Sequence, residues 1–401
     1  MLALACGSIA FAQVQFAPMT PASSAAKAAA QAAAQGPAAV GAVSETVEFK
    51  SGSRWHLTVN AVKQYGLVIT GASFQKPNSP FLYVLFDGRL AALFVPYHPG
   101  SPRFEDIGLN FDPLRLPAAK FPPPRQIIGG GYICKEVRDY LAYMDAFTDQ
   151  STTRVRYGQE VVYFSVLDAF NYQYIEEWTF RDDGAILVRA GSTGPKHGGP
   201  DDTRGHMHNF TWRLDIDLNG ADDNSAYLTS HLEDLTVSPS PSPSPPSGVY
   251  RYGSTAEDKK YLISVEGSRV WNPQHFNTLE IFDCFPEGPF CSTLENGRGH
   301  PTSYELVPMR TGTARHTEDF TKKDFWVTRY NPAEILAVNL PTYIGDRQPT
   351  VNEDLVIWYT GSAHHEDNPR DEDRNTVPVI WTGFELLPKN IFDNTPFYPN
   401  P

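Results

Sequence analysis

From about residue 47 onward, apolar and polar positions alternate in short runs separated by turn-forming clusters. The segments "RWHLTVNAV", "FLYVLFDG", "EVVYFSVLDAF", "YIEEWTFRDDGAILVRAG" and "HNFTWRLDIDLNG" are rich in Val, Ile, Phe, Tyr and Trp. A period of two puts alternate side chains on opposite faces, as half-buried strands require. So many short strands in succession predict an all-β fold, a large antiparallel β-sandwich. Two stretches read as helical instead, "AKAAAQAAAQ" and "ICKEVRDYLAYMDAF".

Three segments fall outside the strand pattern. Residues 1–12, "MLALACGSIAFA", form an apolar run ending in Ala10-Phe11-Ala12, the form of a signal-peptidase site, which predicts a signal peptide and a secreted protein although a basic n-region is missing. Residues 13–45, dominated by Ala, Gln, Ser and Pro, predict a disordered or weakly helical lead-in, with the fold starting near Val47. "SPSPSPSPPSG" at 238–248 predicts a stiff polar surface loop within one domain covering 46–401, because similar strand patterns continue on both sides. No stretch is apolar for long enough to span a bilayer.

Composition adds limits. With 401 residues, 41% of them hydrophobic and 12% aromatic, the chain can bury a substantial core. A net charge of -13, from 46 acidic against 33 basic residues, argues against nucleic acid or anionic membrane as partner and favours small cationic substrates. Cys284 and Cys291 flank the loop of "CFPEGPFC", where they could pair in an oxidising compartment, and Cys134 reads as a small buried hydrophobe.

The candidate chemistry begins with "GHMH". His206 and His208, two apart on a strand, point to one face and make half a metal site suited to copper, zinc, iron or nickel. An exposed and a core histidine are the plain alternative. "DLVIWYTGSAHHEDNPRDED" supplies a third imidazole at the end of another strand, from His364 or His365. The remaining question is why Asn171, Tyr172, Gln173 and Tyr174 stand together on a strand.

"NYQY" resembles the Asn-Tyr-Asp/Glu-Tyr motif of copper amine oxidases, in which the first tyrosine becomes the quinone cofactor topaquinone. "FVPYHPGSPRFEDIG", "HMH", "RLDIDLNG", "GHPTSYELVP", "DFWVTRYNPAE", "DLVIWYTGSAHHEDNPRDED" and "GFELLPKNIFDNTPF" resemble further landmarks of that family in the same order, from about Arg54 to the end. The resemblance implies the catalytic β-sandwich without the small domains that usually precede it. It implies a homodimer that oxidises primary amines with dioxygen to aldehyde, ammonia and hydrogen peroxide.

By the same resemblance, Tyr172 is the topaquinone precursor, Asn171 its neighbour in the motif, Asp106 the base and Tyr97 the partner of the quinone oxygen. His206, His208 and His365 are the expected copper ligands, with His364 as rival. Asp215, Asp217 and Asp354, read as lacking Lys or Arg partners, are a candidate calcium site, solvated surface acids being the alternative. The chain departs from the family at Gln173, where a carboxylate is usual, and at Phe170, where a small residue is common. It also departs in the short spacing between Tyr172 and His206 and in the lost disulfide near Cys134. A non-catalytic sandwich of the same ancestry, binding metal or a partner, is the alternative function.

Overall fold

In the computed structural model, the described residues are 39–97, 103–108, 111–145, 154–194, 205–218, 220–221, 223–231, 259–268, 276–283, 302–309, 318–365 and 378–392. Residues 1–12, "AKAAAQAAAQ", the segment 238–248, Cys284 and Cys291 lie outside them.

The first sheet opens with β1 (Ala39–Glu48), β2 (Arg54–Val62), β3 (Gly66–Gln75), β4 (Leu82–Pro96) and β5 (Arg103–Glu105). The chain then enters the second sheet with β6 (Asp112–Pro113), β7 (Gln126–Ile128), β8 (Ile133–Asp145), β9 (Arg154–Ala169), β10 (Tyr172–Arg181) and β11 (Ile186–Thr193). It returns to the first sheet for β12 (His206–Ile216). The second sheet gains β13 (Asn224–His231), β14 (Lys259–Leu262), β15 (Phe276–Asp283) and β16 (Ser303–Pro308). Then β17 (Phe325–Arg329) joins the first sheet, β18 (Val351–Glu353) the second, β19 (Leu355–His365) the first and β20 (Ile380–Lys389) the second. The order β3-β4-β12-β19-β17 runs through the first sheet and β16-β20-β11-β10-β9-β8 through the second. Every pairing among these strands is antiparallel. The expected all-β sandwich is the observed fold.

The sheets meet through aromatic side chains. Trp55 of β2 packs on Phe180 of β10 with ring centroids 5.1 Å apart, and Trp212 of β12 on Phe384 of β20 at 5.4 Å. The approach is close enough to dictate one residue: a Cβ at Gly88 on β4 would stand 2.4 Å from the Trp178 ring. The outer face of the first sheet is covered as well, by Phe320 and Leu340, which pack on Ala91, Phe94, Trp326, Val356 and Trp358. Both faces of β4 are therefore dry, and Val84–Pro96 is buried throughout. Its charged members are paired, since Arg89 donates to Asp87 and Arg213 of β12 lies 3.3 Å from the same carboxylate, as buried ions must be.

Two expectations are corrected. "ICKEVRDYLAYMDAF" is strand β8, not a helix, because β9 offers a partner at nearly every position from Phe164 back to Arg154. Pairing overrides local preference here, and Val137, Leu141 and Met144 stay exposed. The ordered sheet also starts before Val47: β1 takes up Ala39–Glu48 inside the Ala-rich segment, where β2 pairs it from Val62 to Arg54. Cys134 is buried and free, as read.

Candidate metal centre and adjoining cavity

β12 and β19 bring the imidazoles together by register. His206 pairs directly with His365 and His208 with Ala363, so the three histidines share the inner face. His364 lies opposite Met207 and belongs to the other face, where it is exposed while His365 is buried. The ring centroids of His206 lie 5.0 Å from those of His208 and of His365, and His208 lies 5.7 Å from His365. One nitrogen from each falls within 4.8 Å of the others.

His208 is the informative member. It is fully buried, and among the described residues neither ring nitrogen has a hydrogen-bond partner. Such a loss of both bonds is costly unless something else satisfies the nitrogens. Burial, then the neighbouring His206 and His365, pushes its pKa well below the usual value, so it is the neutral imidazole that ligates metals. Three buried imidazoles are a donor set that fits copper.

Tyr172 reaches this centre from the opposite sheet. Ala169 pairs with Tyr172 across the β9–β10 hairpin, leaving Phe170 and Asn171 as a two-residue turn. The Tyr172 hydroxyl lies 3.0 Å from His206 Nε2 and 3.2 Å from His365 Nδ1, and its ring stands edge-on to His208 at 4.7 Å. Tyr97, just past β4, packs its ring on His206 at 4.3 Å and sets its hydroxyl 3.4 Å from that of Tyr172. Gln173 donates to Asp168 of β9, so the amide at this position ties the hairpin together.

Asp106 follows β5, buried, with its backbone N–H bonded to Leu93. The Tyr174 hydroxyl donates to its Oδ2 at 2.7 Å. Burial raises its pKa to about 6, against the lowering effect of Tyr174. Neighbouring Glu105 accepts from the Leu93 N–H, and burial pushes it to about 8. The two acids differ in aim: Asp106 lines a cavity of about 530 Å³ with Tyr97, Asn171 and Tyr172, and Glu105 does not.

The second cluster also forms. Carboxylate oxygens of Asp215, Asp217 and Asp354 lie within 4.8 Å of one another, with both β12-side residues fully buried. The expectation that no basic residue partners them is corrected, since Arg213 Nη1 is 3.9 Å from Asp215 Oδ2. Positions 213 and 215 share one face of β12, which is why the guanidinium reaches the acid.

One residue of the site was named in the sequence only as a motif member, without a role, and another was missed. Tyr174 lies two places beyond Tyr172, so strand parity already put both rings on one face. Gly194 carries no sequence signal: a Cβ there would lie 2.0 Å from the Asn171 carbonyl oxygen, a contact that depends on the path of the chain after β11.

The sequence model of the family described as copper amine oxidase, enzyme domain, matches residues 139–401. Amine oxidase [copper-containing] gamma 1 of Arabidopsis thaliana is 27% identical over 424 residues, covering 86% of this chain and 56% of that protein. The primary amine oxidase of Klebsiella aerogenes is 26% identical over 421 residues, covering 85% and 52%. The chain spans about half the length of these two relatives. Among solved structures, a copper-containing benzylamine oxidase from Hansenula polymorpha superposes with a TM-score of 0.62 at 16% identity, covering 87% of this chain and 62% of that one.

Proposed function

The chain belongs to the copper amine oxidase family, and we propose that it is a copper- and topaquinone-dependent primary-amine oxidase. It would convert a primary amine, dioxygen and water into aldehyde, ammonia and hydrogen peroxide. The observation that carries the reading is the Tyr172 hydroxyl, placed within hydrogen-bond reach of two of three converging imidazoles.

His206, His208 and His365 would hold the copper, and Tyr172 is the residue that becomes topaquinone. When bound, copper supplies the redox chemistry that oxidises the phenol, and the quinone supplies an electrophilic carbonyl for the amine. The chain's own groups do the rest. Asp106 accepts the α-proton of the substrate on a carboxylate and holds it, which a pKa near 6 suits at neutral pH. Tyr174 fixes that carboxylate by its hydrogen bond. Tyr97 restrains the Tyr172 ring from the hydroxyl side, and Asn171 lies in the turn that delivers it.

Three wider assignments belong to this reading. A calcium ion at Asp215, Asp217 and Asp354 would be structural, tying the end of β12 to the start of β19. Secretion is supported by the apolar leader ending in Ala10-Phe11-Ala12. A homodimer is supported by the apolar side chains Leu141, Met144 and Tyr157 left exposed on the β8–β9 hairpin.

The test is peroxide release. The purified, copper-loaded chain should produce aldehyde and hydrogen peroxide in equal amounts from a primary amine and stain for quinone by redox cycling. A loaded protein that does neither would sink the reading.

A further inference from the structure

Three phenylalanines line the cavity beside Tyr172: Phe104 from β5, Phe111 before β6 and Phe170 from the hairpin turn. Phe111 and Phe170 meet edge to face, with centroids 5.1 Å apart and planes at 88°. Phe104 stands edge-on to Tyr97 at 5.9 Å.

Phe170 is the unexpected member. It opens a two-residue hairpin turn with φ 60, a conformation for which glycine is the favoured residue and a bulky side chain is strained. The residue is also 81% exposed. Neither backbone preference nor burial accounts for a phenylalanine at this place. What the ring does is face Phe111 and wall the cavity.

The polar side of the cavity is equally selective. Among its described lining residues, Asp106 is the one carboxylate. A monoamine needs one. The second ammonium of a diamine would lie beside phenylalanine, the weakest of the aromatic partners for a cation, with no counter-charge among the described lining residues. An aromatic ring in the same place gains apolar burial and edge-to-face contacts.

We propose that this pocket takes an aromatic primary monoamine, with its ring against the Phe111–Phe170 pair and its ammonium toward Asp106, and that Phe170 sets the preference. The inference rests on the amine-oxidase reading and names the substrate class of that same site.

Binding separates the two claims. In the full-length Tyr172→Phe protein, which cannot form the quinone, calorimetry should show benzylamine bound at least ~10-fold more tightly than n-butylamine or 1,4-diaminobutane, the scale of one aromatic contact set. Adding Phe170→Gly or Phe111→Ala should cost benzylamine about 10-fold and change the alkylamines by less than about 2-fold. Phe170→Gly should melt at or above the parent temperature, because the turn strain is relieved, which also shows that the variant is folded. Equal or tighter binding of 1,4-diaminobutane, a loss shared by all three amines, or no binding of benzylamine would each overturn the assignment. If the binding preference holds and the copper-loaded parent releases no peroxide from any amine, the pocket assignment is supported and the oxidase reading fails. If the parent turns over diamines in preference to benzylamine, the reverse is true.

Discussion

The hydroxyl of Tyr174 donates to Oδ2 of Asp106 at 2.7 Å, and both groups are buried. The bond crosses from one sheet to the other and stabilises the carboxylate, offsetting part of the burial that raises Asp106 to about 6. Tyr174→Phe should therefore raise that pKa further. The deprotonated form is the one that accepts a proton, so the acidic limb of kcat/KM should lie near pH 6 in the parent. It should move upward by about one unit or more in the variant, given the ~1.5–3 kcal/mol of a hydrogen bond to a charged group. A pH profile between 5 and 9 reads it, and an unmoved limb would remove Tyr174 from this role.

The two adjacent acids should separate in mutants. Asp106→Asn should keep its copper and its quinone stain and lose ~10²-fold or more in turnover, the scale of a positioned base. Glu105→Gln should retain turnover, because Glu105 is held by the Leu93 N–H and does not face the cavity. Steady-state peroxide assays decide this. The opposite pattern would transfer the base to Glu105.

Gly194→Ala tests how the turn is held. With φ 126 and a Cβ only 2.0 Å from the Asn171 carbonyl oxygen, any side chain at this point pushes on the turn that delivers Tyr172. The histidines sit on other strands, so copper content should be kept while quinone formation slows at least several-fold. Metal analysis and the stain on one sample show both. Quinone formation at the parent rate would mean that the turn yields without moving Tyr172.

Glu176 makes a stability prediction. Its carboxyl is buried between the sheets and accepts from the Leu67 N–H at 2.6 Å, and burial raises its pKa from 4.5 to about 8. The unfolded chain releases this proton near 4.5 and the fold holds it until about 8. Stability is thus undiminished by this group below the lower value and declines as pH rises toward the upper one. Glu176→Gln should flatten that decline and raise the melting temperature at pH 8 relative to the parent, with little change at pH 4.5. Melting curves at the two pH values check it, and an equal shift at both would contradict it.

Much of the fold was legible because alternation of period two is a direct imprint of one-sided burial, clear in β2 and β10, while β12 alternates in sequence although both of its faces are buried. β8 misled because Val137, Leu141 and Met144 pair along β9 while staying exposed, so its apolar residues do not mark a buried face. β1 was hidden for a related reason: its face is mostly exposed or half-buried, so composition spoke louder than pairing. In the site, His206 and His208 were readable from spacing alone. The choice between His364 and His365 was not, because it depends on the β12–β19 register, which only the paired strands reveal. The same holds for Arg213 beside Asp215 and for Gly194 beside Asn171, contacts decided by how closely segments pass in space.

Copper placement follows from that register. His365→Ala should lose the metal, whereas His364→Ala, altering the outer face opposite Met207, should keep it. Elemental analysis after dialysis against a weak chelator distinguishes them, and the reversed result would mean that the strands are offset by one residue.

The central claim is that Tyr172 is modified by the metal its three histidine neighbours hold. The most direct measurement strips the purified chain of metal, restores copper in air, and follows the quinone stain over time in the parent and in Tyr172→Phe. The account predicts a stain that develops only after copper is added and only in the chain that has Tyr172. A copper-loaded parent that never stains, or a stain that develops equally in Tyr172→Phe, would contradict it.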